Sequence, residues 1–583
     1  MRSDRTTRSI LYVAALLCSI AIYELPYLLT LANTGWCSLP PVLSADQMLY
    51  LNVSSIHHVS PTEVINPWYG DLVSTVDVPH LRFSVIFLLF RFTHMIFRSW
   101  TLALLVWVAV WAGCTFIAAA FCLDALFPDG ASWLSITGGL GLLVLQSPLI
   151  YAADIRNSLP GLFQLQLPFI RFAIPQAIVP LALLYLGLQV KALGKGSTRT
   201  LIAMALLQFG VFAAFPYILP VVALGTGIAI MISKYRNQGI ALSWKAIFVF
   251  AAACGVLDIG YFVLTGFGKS HGNVQFGLQF RPELILPSMR AHVLLLLIVA
   301  ALALFSRASM AAKATVAGLA VSNALFGFSD VFFPPAMQML DHPNYIIGLT
   351  TWLPLLLFLG TSLGKFDRPP LRVTLFVALL LTGAWEGFAN FRTALPVNQL
   401  QAAAVQEVET LALTSKDFVI APAEFADDIS SWIPLVSPAR VLYTPDGENI
   451  LSATDTRQEQ SLRQAAYFTL GGMTAASLTT IGDNGPFRFN VLVQQGERGY
   501  QRSTLVADRL YAQSIVRERL EPDLALLRSD RVAASRILSG YDRIVVIDNA
   551  TEPFFDPSAL SQWLETNSIY ERKGLRVRLC RFK

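Results

Sequence analysis

The sequence predicts a polytopic α-helical membrane protein, of about eleven transmembrane helices, with a C-terminal extracytoplasmic α/β domain. Three observations carry that prediction. Apolar runs close to the ~20 residues needed to cross a bilayer recur from Ile10 to Phe391. Only 14% of the 583 residues are charged, where a soluble globular chain carries roughly 25%, and the mean hydropathy is +0.55. Beyond Phe391 the composition changes, and residues 395–583 are rich in charge with no apolar run of span length. The net charge of +5 does not indicate a nucleic-acid partner, because the cations sit in loops between spans.

The predicted spans lie at roughly 10–32, 100–126, 132–153, 173–193, 200–214, 217–233, 246–264, 288–306, 314–328, 345–364 and 373–391. Lysine and arginine mark cytoplasmic loops. Arg2, Arg5 and Arg8 precede the first span and place the N-terminus in the cytoplasm. Lys191, Lys195 and Arg199 then fall on the same side, followed by Lys234, Arg236 and Lys245, then Arg307 and Lys313, then Lys365, Arg368 and Arg372. Among the loops on that side, the short Pro128-Asp129-Gly130 turn alone is not basic. The first span reads as uncleaved, since Trp36 and Cys37 stand where a signal would have small residues.

Leu81–Trp100 is apolar enough to resemble a further span. Arg91, His94 and Arg98 recur at spacings of three and four, however, and so share one helical face. A cationic stripe opposite Phe and Ile predicts a helix lying in the membrane interface. Counting it as a span would move every basic loop to the outside.

The outer loops gather the ionisable groups. The first, 33–99, is too long for a connector. The second contains Arg156 and Arg171, the third Lys269, His271 and Arg281, and the fourth Asp330, Asp341 and His342. The middles of the spans read as nearly free of charge, which argues against a transporter with ionisable groups at mid-membrane.

Residues 395–583 predict a small α/β domain with a mainly parallel sheet. Helices are expected at Gln399–Thr414, Arg457–Leu470 and Leu505–Leu520, and strands at Asp417–Pro422, Arg440–Pro445, Arg543–Asp548 and Leu575–Phe582. No Gly-rich phosphate loop follows a strand, and Gly471-Gly472 reads as a helix C-cap. Cys18, Cys114, Cys122 and Cys254 fall in spans as packing residues. Cys37 and Cys580 are expected outside, where oxidation occurs. No Cys/His spacing matches a zinc site.

The most informative stretch is Ser44-Ala45-Asp46-Gln47-Met48-Leu49-Tyr50-Leu51. It sets a carboxylate and a tyrosine about one helical turn apart at a membrane surface. A carboxylate there is costly unless it has a role. Asp46 also suits the N-cap of a helix beginning at Met48, and one residue can do both.

These residues resemble the C-type (GT-C) superfamily of bacterial integral membrane glycosyltransferases. Asp46 to Leu51 is similar to the D-x-x-x-Y-L segment that follows span one in bacterial members. Asn66-Pro67-Trp68-Tyr69 is similar to an N-P-aromatic segment that often comes next. Arg171 to Gln176 (RFAIPQ) resembles an R-x-x-x-P-Q start to a later span. The resemblance covers the architecture of residues 1–394, and its motifs are short. One departure is that many families carry paired acids at this site, whereas Gln47 follows Asp46 here. That weighs against metal binding by an adjacent pair and leaves a divalent metal open.

The resemblance implies an enzyme of the bacterial inner or plasma membrane that takes sugar from a polyprenyl-phosphate donor. The acceptor would be an envelope glycan, lipid or protein outside the cytoplasm. Asp46 would be the general base of an inverting transfer. Arg156, Arg171, Lys269 and Arg281 would stabilise the leaving phosphate. Tyr50, His271 and His342 would hydrogen-bond donor or acceptor. Each assignment has a plainer reading: Tyr50 as an interfacial aromatic, Arg156 and Arg171 as headgroup contacts, His342 as a turn residue beside Pro343. Asp71 and Asp77 read as ordinary loop carboxylates. Two other function classes remain open at this point, a transporter or flippase of lipid-linked sugars and a non-catalytic membrane scaffold.

Overall fold

A computed structural model of the chain describes residues 2–36, 39–43, 47, 51–52, 54, 85–128, 132–146, 167–169, 174–214, 218–235, 242–265, 282–326, 346–362, 369–394, 397–423, 428–444, 457–473, 520–529 and 531–583. The chain divides into two compact units. Met1–Ser44, Phe83–Leu264 and Phe280–Pro396 form the first, and Ala45–Arg82, Thr265–Gln279 and Val397–Lys583 the second.

The first unit is helical. Its elements are α1 (Arg2–Thr34), α2 (Val85–Phe97), α3 (Trp100–Leu126), α4 (Ser132–Val144), α5 (Ile174–Lys195), α6 (Thr198–Ala214), α7 (Leu219–Tyr235), α8 (Trp244–Thr265), α9 (Pro282–Phe305), α10 (Met310–Phe326), α11 (Ile347–Ser362) and α12 (Pro369–Thr393). Each segment expected to span contains an α-helix among the described residues. Among the described residues, Thr7–Thr34, Trp100–Leu126, Ile178–Lys195 and Pro370–Arg392 are long and apolar enough to cross a membrane, and six shorter apolar helices accompany them.

Lipid offers apolar helices no hydrophobic reason to associate, so small residues and buried polar contacts must hold them. α7 and α10 meet at Gly225 and Gly318, where a Cβ on Gly318 would lie 2.5 Å from the Gly225 carbonyl oxygen. α12 meets α1 at Gly383, where a Cβ would lie 2.7 Å from Ile22 Cδ1. Polar side chains fasten other crossings. The Tyr23 hydroxyl donates to the Leu143 carbonyl at 2.7 Å, and Trp352 Nε1 donates to the Gln146 carbonyl at 2.7 Å. Leu167 N donates to Asn390 Oδ1 at 2.8 Å, satisfying a non-helical backbone group that apolar surroundings would otherwise penalise.

Several expectations need correction. The helix in the third predicted span ends at Val144, the Gln146 carbonyl accepts from Trp352, and residues 147–153 of that span lie outside the described residues. Leu81–Trp100 is not one helix. α2 ends at Phe97, Arg98 adopts φ +52°, and Ser99 caps α3 by accepting from Leu102 N at 3.3 Å. Arg98 therefore leaves the helical face it was expected to share with Arg91 and His94. α2 is ~20 Å long by helix geometry, short of a ~30 Å hydrocarbon core. Phe87 and Phe90 are buried, His94 stacks on Trp100 at 3.6 Å, and Leu89, Phe92, Met95 and Ile96 are exposed. Nor are the apolar helices free of acids. Glu24 and Glu386 are buried in α1 and α12, and Asp258 is half-buried in α8. Cys122 and Cys254 pack inside as expected, but Cys114 is exposed.

The second unit contains a five-stranded sheet. Its strands are β1 (Asp417–Ile420), β2 (Arg440–Val441), β3 (Arg543–Asn549), β4 (Leu564–Arg572) and β5 (Leu575–Phe582), in the order β2-β1-β3-β5-β4. β1 pairs parallel with β2 and β3, whereas β5 pairs antiparallel with β3 and β4. The sheet is thus mixed, not mainly parallel. β4 escaped the sequence because nearly all its side chains are exposed and give no alternation. A tight Lys573-Gly574 turn, with φ +51° and +79°, joins it to β5 and needs no crossover helix.

Helices cover both faces of the sheet. α13 (Gln399–Leu411) and α14 (Ile433–Val436) pack on Val419, Val545, Ile547 and Val577. On the other face, Phe418, Ile420, Ile544 and Val546 meet α15 (Arg457–Leu470), α16 (Glu521–Ser529), α17 (Arg531–Leu538) and α18 (Pro557–Trp563). Alternate residues of a strand point to opposite faces, which fills both cores. α13 opens with a reciprocal Asn398–Gln401 capping box and ends at Ala412 with φ +45°, short of the expected Thr414. α15 matches its expected bounds, and Gly472 closes it at φ +69° with Met473 N donating to the Phe468 carbonyl at 2.9 Å. The helix expected at Leu505–Leu520 lies outside the described residues except for Leu520. Cys580 is a free, buried thiol on β5, and Cys37 lies outside the described residues.

Candidate functional site

In an open sheet, ligand sites favour the carboxyl ends of parallel strands. β1 leaves the sheet through Ala421-Pro422-Ala423. The chain returns at Asp428, where Ile429 N and Ser430 N donate to the Pro422 carbonyl at 2.9 and 3.0 Å. A single helical turn, Ser430–Trp432, then leads through α14 to β2.

Polar groups concentrate on this turn. Ser431 N donates to Asp428 Oδ1 at 3.0 Å, and Ser431 Oγ to Asp428 Oδ2 at 2.6 Å. The Ser431 and Thr444 hydroxyls are 2.6 Å apart. Burial pushes the Asp428 carboxyl up to about 6, against the two Ser431 bonds, which pull it down. Nearby, Ala423 N donates to the Tyr467 hydroxyl at 2.9 Å, and Gln464 Nε2 donates to the Tyr443 hydroxyl at 3.4 Å. Asp548, at the carboxyl end of β3, accepts from Phe554 N and Phe555 N at 2.8 and 3.0 Å and so pins the following loop. Neither described histidine, His94 or His292, belongs to this unit, so the described part of the cluster has no nucleophile–histidine pair.

The Asp428–Ser431 turn also holds the stretch that follows Asp46. Gln47, Leu51, Asn52 and Ser54 are all buried, and Asn52 Nδ2 donates to the Ser431 carbonyl at 2.8 Å. These four, the described residues between Ala45 and Arg82, are therefore core residues of the unit that contains the sheet. Asp46 and Tyr50, within that stretch, lie outside the described residues. So do Arg156, Arg171, Lys269, His271, Arg281 and His342. Gln176, from the RFAIPQ segment, has a packing role. It accepts from Trp107 Nε1 at 3.0 Å through Oε1, and from Trp111 Nε1 through its carbonyl.

Sequence reading missed two polar features. In the first unit, Gln208 Nε2 donates to Asp258 Oδ2 at 3.3 Å, and the Tyr185 hydroxyl donates to Gln208 Oε1 at 3.4 Å. The Tyr185 and Thr226 hydroxyls lie 2.8 Å apart, and Thr226 also donates to Gln189 Oε1 at 3.2 Å. The isolated acid in α8 was the available signal, visible only by counting charges within each span. In the second unit, the Asp428 cluster joins residues far apart in sequence, and no spacing signals it.

Among the described residues, no group of three or more His, Cys, Asp or Glu is arranged to hold a metal ion. The chain matches no protein-family model and no curated protein sequence.

Proposed function

We propose that this protein is a membrane glycosyltransferase that moves a sugar from a polyprenyl-phosphate donor to an acceptor outside the cytoplasm. In this reading all the apolar helices except α2 cross the bilayer, about eleven in all, and the sheet-containing unit lies outside. Asp46 takes the proton of the acceptor hydroxyl as its oxygen bonds to the sugar's anomeric carbon. The carbon–oxygen bond to the donor phosphate breaks, and polyprenyl phosphate leaves with the electron pair. Arg156, Arg171, Lys269 and Arg281 balance the charge that develops on it. His271, His342 and Tyr50 orient donor and acceptor. No step is routed through a metal.

The observation that best supports the reading is the bond from Asn52 to Ser431. It fastens the stretch just after Asp46 to a folded, polar-edged domain, and such support gives a catalytic loop a fixed geometry. The short α2, which precedes α3 without the length to span, keeps the basic-loop parity intact.

The test is transfer from a polyprenyl-phosphate sugar by purified Asp46→Asn protein. The side chain keeps its size, and loss of a general base commonly costs on the order of 10²–10⁴ in rate. Asp71→Asn serves as the control and retains activity. Full activity in Asp46→Asn sinks the mechanism.

The buried acids favour a second reading, a transporter or flippase of lipid-linked sugars, because an ionisable group inside an apolar helix is costly and commonly functional. Glu24→Gln and Asp258→Asn discriminate. Under the transferase reading both retain transfer in detergent, whereas a transporter loses lipid-linked sugar movement in vesicles.

A further inference from the structure

A cavity of about 340 Å³ opens in the first unit where α3, α5 and α7 end and α10 begins. That is some ten times the ~30 Å³ share of one water molecule. Its lining includes Asp124, Lys191, Lys195, Ser233, Ser309 and Met310. The charge pattern of the loops assigns this end of the bundle to the cytoplasm.

Three features of the lining suit an anion. The first is the N-terminus of α10. Ser309 Oγ accepts from Ala312 N at 3.3 Å, so the N–H groups of Met310 and Ala311 are left without an intrahelical acceptor. A helix of this length presents partial positive charge there. The second is the lysine pair, of which Lys191 sits with Nζ 3.9 Å from the centre of the Phe121 ring. The third is Ser233. It is buried, and its hydroxyl has no hydrogen-bond partner among the described residues. Other buried helical hydroxyls, those of Ser19, Thr30, Thr115 and Thr226, bond the carbonyl four residues back. A hydroxyl that forgoes this bond at the wall of a cavity is free to donate to an occupant.

Two features oppose an anion. The carbonyl ends of α3, α5 and α7 bring partial negative charge, which lysines in a last turn ordinarily offset. Asp124 is a full negative charge, but Arg8 pairs with it at 3.6 Å and Ser135 Oγ donates to it at 2.6 Å. With Asp124 so matched, two lysines and the α10 N-terminus remain, and the balance is positive.

We infer that this cavity binds a phosphate group, with Lys191 and Lys195 supplying charge and Ser233 and the first N–H groups of α10 supplying hydrogen bonds. The chemistry fits the headgroup of an anionic phospholipid of the cytoplasmic leaflet and equally a free phosphate or soluble phosphate ester.

The experiment measures thermal unfolding of the full chain in nanodiscs of phosphatidylcholine, with phosphatidylglycerol added to the disc or inorganic phosphate added to the buffer. Stabilisation by phosphatidylglycerol alone identifies a lipid headgroup as the source. Stabilisation by inorganic phosphate identifies a soluble one. In either case Lys191→Gln/Lys195→Gln abolishes the effect while unfolding as wild type does in phosphatidylcholine. Lys191→Arg/Lys195→Arg keeps it, and Ser233→Ala weakens half-saturation about fivefold, the equivalent of one hydrogen bond. Lys245→Gln, a cation outside the cavity lining, leaves it unchanged. If neither additive stabilises the wild type, or if Lys245→Gln removes the effect as completely as the lysine pair, the site is overturned.

Discussion

Asn52 and Ser431 stand 379 residues apart in sequence and are joined by a 2.8 Å hydrogen bond from the Asn52 amide to the Ser431 carbonyl. Both groups are buried. The bond ties the first loop after α1 to the turn that links β1 with β2, and that turn in turn carries Asp428 and meets Thr444. A loop expected to hold the reacting carboxylate is thereby built into the sheet domain rather than left as a free connector.

Asn52→Ala should therefore destabilise the second unit by about 1–3 kcal/mol, since it removes a buried hydrogen bond. Asn52→Asp should cost more, because a carboxylate oxygen then faces the Ser431 oxygen. Under the transferase reading Asn52→Ala also lowers kcat more than it raises KM, as the loop loses its fixed position. Thermal unfolding and steady-state kinetics on the same preparation check both statements. A variant with wild-type stability shows that the bond is dispensable.

Topology offers a second check. The Asn52–Ser431 contact requires the first loop and the C-terminal domain to lie on one side of the membrane, and the arginines before α1 predict that this side is outside. Reporter fusions after residue 57 and after Phe391 should report the same extracytoplasmic compartment, and a fusion after Lys313 the cytoplasm. A cytoplasmic signal from the Phe391 fusion refutes the outside placement of the sheet domain.

Two carboxylates in the second unit should respond to pH in opposite senses. Burial raises the Asp428 carboxyl to about 6 from an ordinary 3.8, so its contribution is full below pH ~4 and is lost as pH rises toward 6. Asp417 is the reverse. Burial would raise it, but Arg543 outweighs that with bonds of 3.1 and 3.0 Å to its two oxygens, aided by Thr414, and holds it below its usual value. Its contribution is present above pH ~4 and is lost as pH falls through the depressed pKa. Asp428→Asn should flatten the decline between pH 4 and 6, and Asp417→Asn the decline at lower pH. Melting temperatures recorded from pH 3 to 8 test this, and an unchanged profile in either variant refutes the assignment for that residue.

The α7–α10 crossing tolerates no side chain at Gly318, whose added Cβ would meet the Gly225 carbonyl oxygen at 2.5 Å. Gly318→Val should force the helices apart and cost about 2 kcal/mol or more. Gly227, also on α7, has nothing within 4 Å of an added Cβ, and Gly227→Ala should be neutral or stabilising by up to ~1 kcal/mol. Unfolding in detergent separates the two, and equal behaviour refutes the close-packing account.

Much of the fold was legible in the residues. Apolar runs gave every helix of the first unit because a bilayer-length run has few other solutions. Strands β1 and β3 were legible as short continuous apolar runs, β5 as an alternating one, and helix α15 by its helical spacing. β4 was not, since an exposed edge strand has no apolar face to reveal it. The end of α2 was also hidden, because the break at Arg98 depends on a left-handed backbone and a stacked His94–Trp100 pair rather than on a Gly or Pro.

The sequence by itself determined that the chain is a membrane-type helical protein with an α/β domain and where each apolar helix falls, because both follow from local composition and periodicity. It also carried the motif around Asp46, because a motif is a matter of adjacent residues. Only the tertiary structure decided that Asn52 closes on Ser431, that Asp428 and Thr444 both meet the Ser431 hydroxyl, that Asp258 meets Gln208, and that Ser233 lines a cavity with Lys191 and Lys195. Each of these joins groups from separate elements. Their energies come from burial and hydrogen bonding that exist only once the elements pack, so no local pattern could announce them.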